Sequence, residues 1–249
     1  MRTARHWVLT AVGLVALLPA SAQGDDLGLS ASIGAEKKLC TSWDVEAEAE
    51  FRSRNDMKTA SRWSLSAGTS YKLTTWLKAS AGYKFLYDNE HEKVSYHEDL
   101  TPNNWRPSLW LPRHRFTLSL TASQMLGRIS LSLREGWQYT YRPSQATERY
   151  DFDNNYWEYT EVRGKGRNVL RSRLQAKWKI RHCKVDPYAS VELFNAWSVQ
   201  KTRYNVGIDW KMTKQHTFNL FYRYQDVGNN DDDGDPDSHI IGLGYNFKF

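Results

Sequence analysis

The strongest constraint on this chain is an alternation of period two that starts at Leu27 and, broken only at turns, runs to the last residue. Its final stretch, Ser238 to Phe249, reads SHIIGLGYNFKF, with Ile241, Leu243, Tyr245, Phe247 and Phe249 on one parity and Gly242, Gly244, Asn246 and Lys248 on the other. Successive side chains of a strand point to opposite faces, so this segment is a strand with one apolar side and one small or polar side. The second strand is more extreme. Trp43, Val45, Ala47, Ala49 and Phe51 alternate with Asp44, Glu46, Glu48, Glu50 and Arg52, so one face is wholly charged.

The same reading gives eleven strands. Their connections alternate between short turns at 39–42, 73–75, 123–127, 181–184 and 213–215 and longer loops at 55–61, 88–112, 143–167, 195–202 and 226–237. Short turns at one rim and long loops at the other are the habit of transmembrane β-barrels. The aromatic residues, 14% of the chain with 11 Trp and 14 Tyr, support that pattern. Trp43, Tyr71, Trp76, Trp178 and Trp210 lie beside short turns, and Phe51, Trp63, Tyr87, Trp137, Tyr141, Tyr204 and Tyr224 lie beside long loops. Two aromatic belts separated by Ala, Leu, Val and Ile mark two membrane interfaces. A mean hydropathy of −0.69 fits too, because only half of each barrel strand need be apolar.

The chain opens MRTARHWVLTAVGLVALLPASAQG. Arg2 and Arg5 form a positive start, Trp7 to Leu18 an apolar run too short to span a bilayer, and Ala20-Ser21-Ala22 an A-x-A cleavage site. Residues 1–22 are therefore expected to be a removable signal peptide and residues 23–249 a single barrel domain. Without Arg2 and Arg5 the formal charge of +6 falls to about +4, which gives no reason to expect nucleic acid as a partner.

A terminal Phe with aromatics two and four residues before it resembles the closing strand of bacterial outer-membrane β-barrels. By that resemblance Tyr245, Phe247 and Phe249 are an insertion signal, the partners are the barrel-insertion machinery and outer-membrane lipid, and the location is the bacterial outer membrane. LREGWQYTYR at 133–142, LRSRLQAKWKI at 170–180, DPYASVELFN at 186–195 and the closing GYNFKF resemble a family of exported β-barrel proteins known only as a domain of unknown function. The expected fold is all-β, a transmembrane antiparallel up-and-down barrel of 10–12 strands. Single-chain bacterial barrels usually count even, so either the first strand lies outside the ladder, giving ten, or the alternation hides a twelfth. Glu135 falls on the lipid parity, where charge is costly. Either a bulge at Arg134-Glu135-Gly136 turns it inward, or it makes a protein contact.

Inward parity places Glu46, Glu48, Glu50, Arg134, Arg171, Arg173, Lys177, Glu192 and Arg223 in the lumen, alongside further charges such as Lys84, Arg115 and Arg203. Unpaired buried charge is expensive, so the first reading is a cross-lumen ion-pair network that fills a non-enzymatic barrel. Its role is then envelope structure or the handling of small molecules or lipids at the surface. A narrow porin or transporter for small, anionic solutes and an outer-membrane hydrolase are the alternatives. For the hydrolase, the loop residues Glu90, His91, Glu92, His97, Glu98, Asp99 and His239, or outward Ser172 with His114 and His216, supply suitable types without an evident constellation. Cys40 and Cys183 sit on turns about half the circumference apart and are expected to be free thiols. No cofactor is expected. Asp231, Asp233 and Asp237 fall in a loop that follows the first half of a calcium-loop pattern, with Gly234 at the sixth position, but Ile240 stands where a bidentate Glu belongs. A solvated acidic tip is expected there. Calorimetric titration of the refolded chain with calcium should show no heat, and a saturable isotherm would instead assign a site to those aspartates.

Overall fold

A computed structural model describes residues 26–228 and 237–249. The expected signal peptide and Asp231 and Asp233 of the acidic loop lie outside these residues. Fifteen strands follow in order: β1 (Asp26–Lys38), β2 (Trp43–Arg54), β3 (Thr59–Lys72), β4 (Leu77–Glu90), β5 (Lys93–Tyr96), β6 (Pro102–Arg106), β7 (Leu109–Leu126), β8 (Ile129–Arg142), β9 (Gln145–Asp151), β10 (Tyr156–Val162), β11 (Lys165–Trp178), β12 (Val185–Asn195), β13 (Val199–Lys211), β14 (His216–Val227) and β15 (Ser238–Lys248). Among the described residues no helix is long and apolar enough to cross a membrane. Eleven strands close into a barrel in the order β1-β15-β14-β13-β12-β11-β8-β7-β4-β3-β2. Each is 11 to 18 residues long, enough for the ~9–11 residues that a tilted strand needs to cross a hydrocarbon layer.

The strand count corrects both sequence alternatives. Neither a spare first strand nor a hidden twelfth is needed, because β1 joins the ladder by pairing parallel with β15. The pairing runs from Asp26↔Ser238 to Glu36↔Lys248 in unbroken register. It is extended at one end by Asp26 N–H to Asp237 O (3.1 Å) and at the other by Phe249 N–H to Glu36 O (2.9 Å). An odd number of up-and-down strands leaves the first and last running the same way, so a parallel seam is the only closure open to it. Lys248 Nζ and Glu36 form an ion pair across the seam at 2.8 Å.

The barrel is inside out. Among the described residues only Leu86, Leu111, Val169 and Phe194 are buried apolar side chains, while Leu65, Leu118, Leu174, Leu243 and the belt tryptophans Trp43, Trp76 and Trp178 are exposed on the outer wall. Glycine serves the inner wall by letting aromatics lie flat. At Gly242 a Cβ would meet the Phe221 ring at 2.0 Å, and at Gly207 it would meet Tyr188 at 2.8 Å. The turns use local backbone chemistry. Gly127, at φ 61°, begins a two-residue hairpin between β7 and β8, the position where such turns ask for glycine.

The two longest expected loops are also partly strand. β5 and β6 arise between β4 and β7, β9 and β10 between β8 and β11, and together they form a four-stranded sheet ordered β10-β9-β6-β5. Their parent strands β7 and β8 are neighbours in the barrel, which brings the two loops together. Trp105, Tyr150 and Trp157 pack across that sheet with ring centres 5.5–5.6 Å apart. The expected 195–202 loop shrinks to residues 196–198, with a register shift at Phe194/Asn195.

The expected bulge at Glu135 is absent. β8 pairs with β7 and β11 without interruption through Leu120↔Glu135 and Ser172↔Glu135, and Glu135 stands exposed on the outer wall. The second alternative holds: Ser172 Oγ donates to Glu135 Oε2 at 2.6 Å. Gly136 is small for a different reason, since a Cβ there would press on Ser119 Cβ at 3.2 Å.

The parallel seam predicts a cross-link. With Cys40 and Cys183 replaced by serine, Leu29→Cys and Ile241→Cys, register partners on the outer wall, should oxidise to a disulfide that preserves the folded gel mobility. A ten-strand ladder without β1 would leave those thiols unbridged.

Candidate functional site

Period two sends every second residue of these strands inward, and the inner wall is dominated by charge. The structure places Glu46, Glu48, Glu50, Arg134, Arg171, Arg173, Lys177, Glu192 and Arg223 on this wall. Towards the short-turn rim, Lys177 pairs with Asp209, and Asp186 accepts from both Lys179 (3.0 Å) and Lys211 (2.5 Å). Higher up, Glu50 accepts from Arg52 (2.6 Å), Ser30 Oγ (3.0 Å) and Ser64 Oγ (3.5 Å), and lies 3.3 Å from Lys84 Nζ. Arg171 donates to Glu192 at 2.7 Å and to Gln138 at 3.2 Å. These pairs join strands no more than two apart in the ladder. They run along the wall.

At the long-loop end the wall opens into a cavity of about 440 Å³. Asp88 and Glu90, at the end of β4, anchor one side of it. Arg62 and Arg113 pair with Asp88, and Glu90 accepts from Arg113 (2.8 Å), Arg142 (2.6 Å) and Arg106 (3.2 Å). The last contact ties the small sheet to the barrel. Arg52, Arg115 and Arg203 line the cavity from β2, β7 and β13. Phe194 is 5% exposed, with the guanidinium of Arg203 at 4.5 Å and that of Arg171 at 4.8 Å from its ring centre. Flat guanidinium groups stack well on an aromatic face, and here the stacking fixes where two of them point.

The carboxylates are well supplied and the arginines are not. Among the described residues, Arg115, Arg134, Arg173, Arg203 and Arg223 have no ion-pair partner. Arg115 Nε donates to Thr140 (3.1 Å), Arg203 Nε to Gln225 (2.7 Å) and Arg223 Nε to Asn205 (2.7 Å). Arg134 and Arg173 face each other as direct cross-strand partners, and the Nε of each is buried without an acceptor. Like charges opposite one another destabilise a sheet, so the excess of cation is a cost borne by the fold.

The other candidates disperse. His97 pairs with Asp153, Asp99 caps Thr101, Glu90 is an arginine acceptor and His239 bonds Tyr222. On the outer wall Ser172 serves Glu135, whereas His114 bonds Tyr83 (2.8 Å) and His216 bonds Tyr245 (2.7 Å), so serine and histidine are not brought together. Asp237 accepts from Val227 N–H at 2.7 Å. Among the described residues no group of His, Cys, Asp or Glu could hold a metal ion. Cys40 and Cys183 are free and exposed. Tyr245 and Phe247 stand on the outer wall, and Phe249 packs edge-on against Phe247 at 4.6 Å. Inward parity finds most of the lumen charges. It misses Asp88, Glu90, Arg113 and Arg142 as a group because they fall in or beside segments that read as loops, although Leu86-Tyr87-Asp88 continues the β4 alternation.

A family model described as "Protein of unknown function (DUF2490)" matches residues 29–235. No curated protein matches the chain. Among the solved structures that share its fold are two autotransporter barrel domains. The translocator domain of the autotransporter NalP from Neisseria meningitidis is 14% identical, with a TM-score of 0.56 and 91% of each chain covered. The beta domain of the Bordetella autotransporter BrkA is 11% identical, with a TM-score of 0.54, covering 84% of this chain and 82% of that one.

The burial of Glu50 yields a stability test. Glu50→Leu removes the acceptor shared by Arg52 and Lys84 and should destabilise the barrel by ~3–5 kcal/mol, read from the urea midpoint of unfolding. Lys58→Ala, which breaks the exposed Lys58–Asp56 pair without touching the positive-φ Asp56, should shift it by less than ~1 kcal/mol.

Proposed function

We propose that this chain, which belongs to the DUF2490 family of proteins of unknown function, is a non-enzymatic barrel of the bacterial outer membrane that holds small anionic molecules or anionic headgroups at the cell surface. The observation that carries this reading is the imbalance at the cavity. Asp88 and Glu90 are matched by arginines on neighbouring strands and Glu92 accepts from Trp105, while among the described residues Arg115 and Arg203 form no ion pair. Outer-membrane residence draws support from the exposed aromatic belts, from strands long enough to span, from the fold shared with two autotransporter barrel domains and from the resemblance of the closing strand to an insertion signal. In that setting the long-loop rim faces outward, so the cavity opens to the surface, Cys40 and Cys183 lie in the periplasm, and Tyr245, Phe247 and Phe249 are what the insertion machinery reads.

A non-catalytic role fits a chain whose outer-wall serine and histidines are engaged separately, with Glu135 and with tyrosines. The lumen reads as non-conducting, with ion pairs lining the wall and Phe194 held between Arg171 and Arg203 in the cavity wall. The same cationic excess favours a second reading, a narrow anion-selective pore. Translocator is a description of the Neisseria domain alone.

Planar-bilayer recording separates the two readings. The purified chain is expected to insert without single-channel steps in molar KCl. Stable steps with reversal potentials favouring chloride would replace the closed barrel by the pore.

A further inference from the structure

Arg115 and Arg203 approach the cavity from strands four steps apart in the ladder, β7 and β13. Each is anchored through Nε by a neutral partner, Thr140 Oγ1 or Gln225 Oε1, which holds the guanidinium in place without neutralising it. Both lie within electrostatic range of Arg52 and Arg171, so guanidinium groups from four strands converge on this region. The carboxylates nearest to them are already engaged: Glu50 serves Arg52 and Lys84, Glu192 is bonded by Arg171 while facing Arg203 across the β12–β13 ladder, and Asp88 serves Arg62 and Arg113. Clustered cations deep in a protein repel one another in a medium that screens them poorly, and a ligand carrying the missing negative charge relieves that cost.

We propose that the cavity floor is a binding site for a phosphate-class oxyanion, gripped by Arg115 and Arg203 from opposite walls. The proposal rests on reading the cavity as an outward-facing anion site and names what that site takes. Arginine forks match tetrahedral oxyanions with paired hydrogen bonds, and a phosphomonoester brings close to two negative charges, one for each unmatched guanidinium. A monocarboxylate would neutralise only one of them, and chloride has no directional acceptors to span the fork. A volume of about 440 Å³ exceeds a bare phosphate and sits within the size range of small-ligand pockets. Gln138, Thr140, Gln200 and Gln225 line it and offer hydrogen bonds to the hydroxyls of a sugar or glycerol body. The ligand is thus a small phosphorylated polyol, either free or as the headgroup of a lipid.

Calorimetry on the refolded full chain in detergent micelles tests this with inorganic phosphate, glucose 6-phosphate, glucose, acetate and water-soluble dibutanoyl phosphatidic acid. Saturable binding is expected for inorganic phosphate and glucose 6-phosphate but not for glucose or acetate. The tighter of glucose 6-phosphate and dibutanoyl phosphatidic acid assigns the source, free solute or lipid headgroup. Arg115→Gln and Arg203→Gln should each weaken phosphate binding roughly tenfold or more. Arg128→Gln, at the short turn on the opposite rim, should leave it unchanged. If Arg115→Gln does not fold by gel mobility, Arg115→Lys keeps the charge and loses the fork, and a smaller but clear weakening is expected. Phosphate should also raise the unfolding temperature of the parent chain and not that of the Arg115→Gln/Arg203→Gln double variant. Absence of saturable heat with both inorganic phosphate and glucose 6-phosphate, equal binding by the single variants, or acetate binding as tightly as phosphate overturns the proposal. With a silent bilayer recording, those results leave the closed anion-holding barrel standing. An open pore that phosphate does not block removes both.

Discussion

Closure of the backbone ladder is the condition on which everything else in this molecule depends. A sheet whose outer face is apolar all the way round has no water there to satisfy open edges, so each strand must find two neighbours. Ten of the eleven junctions are antiparallel and use connections that the chain makes cheaply. The eleventh must join strands that run in the same direction. Parallel ladders are slightly weaker per residue, and here the seam is supported at both ends, by the Asp26–Asp237 backbone bond and by Phe249 bonding Glu36 beside the Lys248–Glu36 pair.

Once the apolar side chains are committed outward, the inward positions must be filled from polar residues, and the filling is uneven. Small residues of β15 and β13, Gly242 and Gly207, admit the flat rings of Phe221 and Tyr188. The acidic strand β2 supplies Glu46, Glu48 and Glu50 to one wall, whereas arginines crowd β7, β8, β11, β13 and β14 on the other. Ion pairs can form only where side chains reach, across one or two strands, so a global near-balance of charge does not become a local one. The cationic cavity follows from this mismatch of reach and placement, and a fold under selection for stability alone has little reason to keep it.

Much of this was legible in the sequence because alternation is a local signal that fixes facing without knowledge of partners. Eleven alternating segments, the inward charges and the two aromatic belts were all readable at that level, although the habit of even counts argued the barrel towards ten or twelve strands. What was not legible depends on tertiary proximity. The choice between bulge and partner at Glu135 turned on Ser172, thirty-seven residues away, and on Ser119 crowding the position of Gly136. The small sheet above the rim was hidden because β5, β6 and β9 are short and polar, although the aromatic and β-branched run YWEYTEV of β10 carried a strand signal. The split between matched and unmatched arginines could not be read from parity at all, since parity says which residues face inward and not which of them meet.

The parallel seam also decides how the polypeptide could be rearranged. In a barrel with an even strand count the two ends emerge side by side, and a short linker between them permits circular permutation. Here the ends of β1 and β15 that would be joined lie at opposite rims. Ten steps of ~3.3 Å between the first and last register pairs separate them by roughly 33 Å along the wall. No short linker spans that distance, and a long one would have to thread the charged lumen or cross the apolar exterior. The order in which these strands follow one another is therefore locked by topology, independently of what any side chain contributes.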